Sequence, residues 1–175
     1  MIEPLPPEIR ALIADSEDAQ WRFEKEHAGT WSPSVTSDYE AVFAVLSALP
    51  RREGLFLEWG SGFGVITLMA AWLGFDAHGI ELNPDLVEMA EELAERHSLS
   101  AAFAAGTFLE DGAGEDGYAV LREELASFDV VFAYPWPGEE ELFLDLFRRG
   151  ARPGATLVFN RASGGIEIHT AEGRG

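Results

Sequence analysis

Apolar positions along this 175-residue chain follow two rhythms. Up to about residue 50 they recur at helical spacing; from Leu55 onward, short and wholly apolar runs alternate with amphipathic ones. In the first part, PPEIRALIAD predicts a helix with proline in its first turn, and DAQWRFEKEH a further, aromatic-bearing helical segment. AGTWSPSV then breaks the pattern at Gly29 and Pro33. SDYEAVFAVLSAL predicts another helix, with Ser37 and Glu40 at capping-box spacing and Ala41, Val42, Val45, Leu46 and Leu49 on one face.

In the second part, LFLEW (Leu55 to Trp59) predicts a strand buried on both faces, and GVITLMAAWL a helix ended by Gly74. DAHGIE predicts a second strand. Asn83 then caps a helix that Pro84 opens and that buries Leu86, Ala90, Leu93 and Ala94. AAFAAG predicts a third strand, DGAGEDG an acidic loop, Tyr118 to Ser127 a helix and FDVVFA a fourth strand. GEEELFLDLFRRG has glutamates at its start, arginines at its end and Gly150 behind them, as a helix dipole favours; ATLVFN predicts a fifth strand. This alternation predicts an α/β, Rossmann-like, doubly wound fold: a mostly parallel sheet with helices on both faces. Ligands of such sheets bind beyond the carboxyl ends of the strands, so the residues that close each strand are the candidate site.

Charge narrows the choice of partners. Twelve basic residues against 31 acidic ones leave a net charge of −19, and Lys25 is the only lysine. Proteins that grip a phosphate backbone release counterions with a basic surface, so this charge predicts a partner other than nucleic acid. The absence of cysteine excludes disulfides, thiolate nucleophiles and Cys-based zinc sites. No apolar run reaches about 18 residues, and MIEPLPPEIR lacks the order of a secretory signal, which together predict a cytoplasmic protein without a membrane partner. His27, His78, His97 and His169 lack metal-ligand spacing, so no metal site is expected.

The first strand closes in Glu58-Trp59-Gly60-Ser61-Gly62-Phe63-Gly64. Such a turn offers backbone N–H groups and a helix N-terminus to a ligand, with no side chains in the way. The second strand closes in Glu81, 21 positions after Gly60, where a carboxylate can accept both hydroxyl hydrogens of a ribose. Together these point to a nucleoside. The dinucleotide spacing G-x-G-x-x-G would need a glycine where Val65 stands, and no lysine follows as a phosphate loop requires. Glu58 would oppose a pyrophosphate and favour an ammonium or sulfonium.

The pattern E-x-G-x-G-x-G at Glu58 to Gly64, the acid at Glu81 and the strand FDVVFAYP resemble the class I S-adenosylmethionine-dependent methyltransferases, over roughly residues 35 to 160. The resemblance implies S-adenosyl-L-methionine as cofactor. Gly60, Ser61, Gly62 and Gly64 would hold its methionine and ribose portions, Glu81 the ribose hydroxyls and Leu82 the adenine. WLGFDAHGIELNPDLVEMAEELAERHSL and PSVTSDYEAVFAVL resemble, more narrowly, small one-domain protein-lysine methyltransferases, which would bring Thr36, Ser37 and Tyr39 to the cofactor's carboxylate. Residues 1–34 would form an N-terminal helical segment or lid, carrying Trp21, Phe23 and Trp31, on a Rossmann-like domain of residues 35–175. Thr107 and Phe108 stand where the family often has an acid that bonds the adenine amine. After the fifth strand the chain has room for one further strand at most, short of the terminal hairpin usual in the family.

The fourth strand ends in AYPWPGEEE, which is not the N-P-P-aromatic turn of amino methylases; Ala133 stands in the place of the asparagine. Tyr134 and Trp136 would wall the acceptor pocket, their faces suited to a cation, and Glu139 or Glu140 could hold an amine or take its proton. Trp136 packed on the domain and glutamates serving as first-turn charges are the plainer alternatives. The sequence therefore predicts a methyltransferase acting on a small molecule or a protein amine. A module that binds S-adenosylmethionine or S-adenosylhomocysteine without catalysis is the other reading.

Overall fold

A computed structural model of the chain describes residues 4–29, 37–50 and 53–173. Helix α1 (Pro7–Glu26) and helix α2 (Tyr39–Ala48) precede the strands. The two helical pieces expected in the N-terminal part are one helix, opened by Pro7 and running through Trp21 and Phe23 without a break. It buries Ile9, Leu12, Ala19 and Phe23 against helix α3 (Val65–Trp72) and helix α4 (Pro84–Arg96). Helix α2 is capped by Asp38, whose side chain accepts from the Ala41 amide at 3.1 Å, in place of the expected Ser37–Glu40 box. Its Val42 and Leu46 face the core.

The strands are β1 (Leu55–Trp59), β2 (Asp76–Glu81), β3 (Ala101–Ala105), β4 (Val130–Ala133), β5 (Thr156–Asn160) and β6 (Ile166–Thr170). They form one sheet in the order β3-β2-β1-β4-β5-β6. All neighbours are parallel except β6, which runs antiparallel to β5. The fold is the α/β, mostly parallel one that the alternation predicts, and the stretch after β5 adds a single strand. Strand order reverses between β1 and β4, which opens a crevice at their carboxyl ends.

The segment expected as one helix from Tyr118 to Ser127 is split. Helix α5 (Gly117–Leu121) stops after five residues at Arg122, which sits at φ +58°, and a single 3₁₀ turn follows at Leu125–Ser127. The break returns the chain so that Leu125 meets Gly150 and Phe128 enters the core. Helix α6 (Glu140–Gly150) covers that face through Phe143, Leu144, Leu146 and Phe147, with Gly150 its last residue and not the one behind it. His78 of β2 is buried and packs edge-on against Phe128. Among the described residues no helix is long and apolar enough to cross a membrane, and no cluster of three or more His, Asp or Glu could hold a metal ion.

Candidate functional site

The carboxyl ends of β1, β2, β3 and β4 open into a cleft of about 720 Å³. Its floor is the turn between β1 and α3. Gly60, Gly62 and Gly64 stand at φ +72°, +52° and +76°, a left-handed region that side chains resist. Their surroundings differ. A Cβ built on Gly60 or Gly62 would meet nothing within 4 Å, whereas one on Gly64 would come within 2.7 Å of the Phe103 ring and 2.8 Å of Ala90. The first two therefore leave the cleft open to a ligand, and the third lets the start of α3 pack on β3 and α4. Gly64 is accordingly absent from the cleft wall.

Glu81 closes β2 and is held in place by backbone amides. One carboxylate oxygen accepts from Gly62 N–H at 2.8 Å and the other from Asn83 N–H at 3.0 Å. Glu58 is turned inward, only 5% exposed. Its Oε2 accepts from the Thr67 amide at 2.9 Å and from the Thr67 hydroxyl at 2.6 Å, which ties β1 to the first turn of α3. Burial pushes its carboxyl up to about 8; the Thr67 hydrogen bonds oppose that shift and the charge of Glu81 adds to it. Tyr39, half-buried nearby, has its phenol pushed up by desolvation and by the charges of Glu58 and Glu17. Ser61 Oγ is buried with no hydrogen-bond partner among the described residues, its side chain lying over Gly79.

Toward the β3 end, Leu82 is 61% exposed on the cleft wall, with Thr107 and Phe108 nearby. The Thr107 hydroxyl accepts from Leu109 N–H at 3.1 Å, and Phe108 stacks on Trp59 with ring centroids 5.2 Å apart. Trp59, which the motif reading passed over, closes β1 and fixes this wall: its indole N–H donates to the Tyr118 hydroxyl at 2.8 Å and its ring meets Phe143 edge-on. A large apolar residue at the end of a buried strand was the available signal. At the β4 end the wall is Tyr134, Pro135, Trp136 and Pro137, with Trp136 54% exposed. Glu139 lines the cleft as the residue capping α6, its amide donating to the Trp136 carbonyl at 3.0 Å.

The structure thus brings Ser37, Tyr39, Glu58, Gly60, Ser61, Gly62, Glu81, Leu82, Thr107, Phe108, Tyr134, Trp136 and Glu139 to one cleft. Thr36 and Trp31 lie outside the described residues. Phe23 packs edge-on against Phe63, and Trp21 is turned to solvent under the Lys25 ammonium. Gln20 of α1, which no motif marked, reaches the wall.

No protein-family model matches the chain. Solved structures do. An RNA methyltransferase from Salinibacter ruber, in complex with S-adenosyl-L-homocysteine, superposes with a TM-score of 0.57 at 22% identity, over 73% of this chain and 78% of that one. The tRNA (uracil-54, C5)-methyltransferase of Pyrococcus abyssi, also with S-adenosyl-L-homocysteine, gives 0.52 at 23% identity over 74% and 30%. The fold is that of the class I S-adenosylmethionine-dependent methyltransferases. In sequence, 93 residues are 36% identical to the 23S rRNA (uracil(747)-C(5))-methyltransferase of Pyrococcus horikoshii, a match that takes in 51% of this chain and 22% of the relative's length. That relative overturns the exclusion of nucleic acid drawn from the net charge. A sum of −19 is spread over the whole surface, and salt screens charges beyond about 8–10 Å, so the sum does not set the field where a methyltransferase of this fold would meet a strand.

Proposed function

We propose that the chain is an S-adenosylmethionine-dependent methyltransferase, and that its acceptor is a base of RNA. The observation that carries the cofactor is the cleft floor: two glycines with open space over their Cα atoms, beside a carboxylate closing the next strand. The residues fit the group. Glu81 keeps lone pairs for the ribose hydroxyls while the Gly62 and Asn83 amides fix its position, and Leu82 offers an apolar face to the adenine. Ser37, Tyr39, Gly60, Ser61 and Gly62 border the methionine end; Thr36 keeps that assignment from the sequence alone. Thr107 and Phe108 close the adenine end. When bound, S-adenosylmethionine would supply an electrophilic methyl group for in-line transfer to the acceptor's lone pair, with S-adenosylhomocysteine as the leaving group. The protein's part is positioning and exclusion of water.

An RNA base replaces the small molecule or protein amine expected at first. The support is the curated relative, together with the walls of the acceptor half: Tyr134 and Trp136 line it, and aromatic rings are surfaces on which a flat base can stack. Glu139 stands at the mouth to hold an exocyclic amine. Cysteine is absent from the chain and histidine from the described cleft wall, so the methylated atom in this reading carries its own lone pair. In this reading α1 is the helical segment that flanks the cofactor-binding domain, with Gln20 as its point of entry to the cleft.

The test is calorimetric titration with S-adenosylmethionine and S-adenosylhomocysteine, followed by transfer of labelled methyl groups to RNA, to a protein extract and to small amines. Micromolar binding with label in RNA supports both parts. Binding with label elsewhere keeps the activity and overturns the acceptor; binding without transfer marks a cofactor-binding module.

A further inference from the structure

The cleft wall contains three carboxylates, Glu58, Glu81 and Glu139, and among its described residues no lysine, arginine or histidine. Glu81 has both oxygens engaged by backbone amides, and Glu139 is exposed at the end of α6. Glu58 differs from both. It is buried, only Oε2 is hydrogen-bonded, both bonds come from the neutral Thr67, and no cation is paired with it among the described residues. A carboxylate taken out of water without an opposite charge is costly, and it removes that cost by binding a proton or a cation. The groups that face it work in one direction. Glu81 from β2 is negative, and Tyr39 from α2 is a half-buried phenol that also feels the charge of Glu17 of α1.

We propose that Glu58 recognises a cationic ligand by exchanging its proton for that ligand's charge. This rests on the cofactor reading above. The exchange balances: the O–H bond of the Glu58 carboxyl breaks, its proton passes to solvent, and the carboxylate left behind pairs with the ammonium or sulfonium. The site is thereby electrically similar before and after binding, and it discriminates against neutral or anionic nucleosides that offer no charge in return. A buried Glu58 pushed up to about 8 agrees with the protonated starting state.

The experiment is calorimetry with S-adenosylmethionine and S-adenosylhomocysteine in buffers of different ionisation enthalpy, beside infrared difference spectra of the ligand-free protein against Glu58→Gln. We expect a protonated-carboxyl band at neutral pH that Glu58→Gln lacks, and release of close to one proton on binding at about pH 7. Affinity should rise by up to about tenfold per pH unit from about pH 5.5 to 7.5, and this slope should vanish in Glu58→Gln. Release with both ligands assigns the charge to the ammonium; release with S-adenosylmethionine alone assigns it to the sulfonium. Thr67→Val removes one donor to the ionised form and should move the profile to higher pH, which a merely structural threonine would not do. Binding without proton release, or an ionised Glu58 in the free protein, overturns the proposal and leaves the cofactor reading standing. Absence of binding by either ligand overturns the cofactor reading and this proposal with it.

Discussion

The two halves of the cleft are built from different materials. The half at β1 and β2 is made by backbone: left-handed glycines, amides turned to Glu81, and a carboxyl held by the start of α3. The half at β4 is made by side chains, Tyr134 before Pro135 and Trp136 between Pro135 and Pro137, in the segment that leads into α6. Backbone sites are hard to alter without altering the fold. Side-chain sites change with single substitutions, so one fold can keep its cofactor and exchange its acceptor. That contrast predicts which substitutions cost stability, which cost cofactor affinity and which cost transfer alone.

The largest effect should come from Gly64→Ala. Its methyl group would enter the Phe103 ring and Ala90 while the backbone remains left-handed, costing about 4 kcal/mol in chemical denaturation. Gly60→Ala carries only the left-handed strain, about 1 kcal/mol, and shows its damage in cofactor binding. Equal losses of stability at the two positions would break the comparison within the backbone half. Next, Glu81→Ala should weaken S-adenosylmethionine and S-adenosylhomocysteine on the order of a hundredfold by calorimetry, since charge-assisted hydrogen bonds are lost.

Glu58 supplies a pH test of the same half. Its carboxyl stands at about 8 in the folded protein against 4.5 ordinarily, so the folded state keeps a proton that the unfolded chain gives up. The stability it contributes is complete below pH 4.5 and is lost as pH rises through 8, by at most about 1.4 kcal/mol per pH unit. Urea midpoints measured across that window should fall in the wild type and lose this slope in Glu58→Gln. The smallest effect on the cofactor belongs to Trp136→Ala: affinity for S-adenosylmethionine within about twofold of wild type, and methyl transfer to RNA lowered about tenfold, the worth of one stacked ring. A loss of cofactor affinity there would mean that the two halves are not separable.

Legibility in the sequence followed the same division. Glycine spacing and the acid at Glu81 announced the backbone half because few residue types tolerate those conformations or do that work, and the structure sets Gly60, Gly62 and Glu81 in one cleft while Gly64 packs away from it. The contribution of Gln20 was not legible, because it depends on how α1 lies across α3 and α4 rather than on any pattern of its own. Arg122 misled the helix expectation, since an arginine carries no signal that it will turn left-handed. Net charge misled most. It is a sum over the chain and does not show where on the surface a strand would lie.

By itself the sequence determined the strand and helix alternation and named the reversal crevice as the candidate site. These depend on local periodicity and on backbone conformations that single residues dictate. Tertiary structure alone decided that Gly60 and Gly62 face open space while Gly64 faces a ring. It also decided that Glu58 is buried with only neutral donors, and that Trp59 braces the wall through Tyr118. Each of those depends on which distant residue arrives beside it, and only packing settles that.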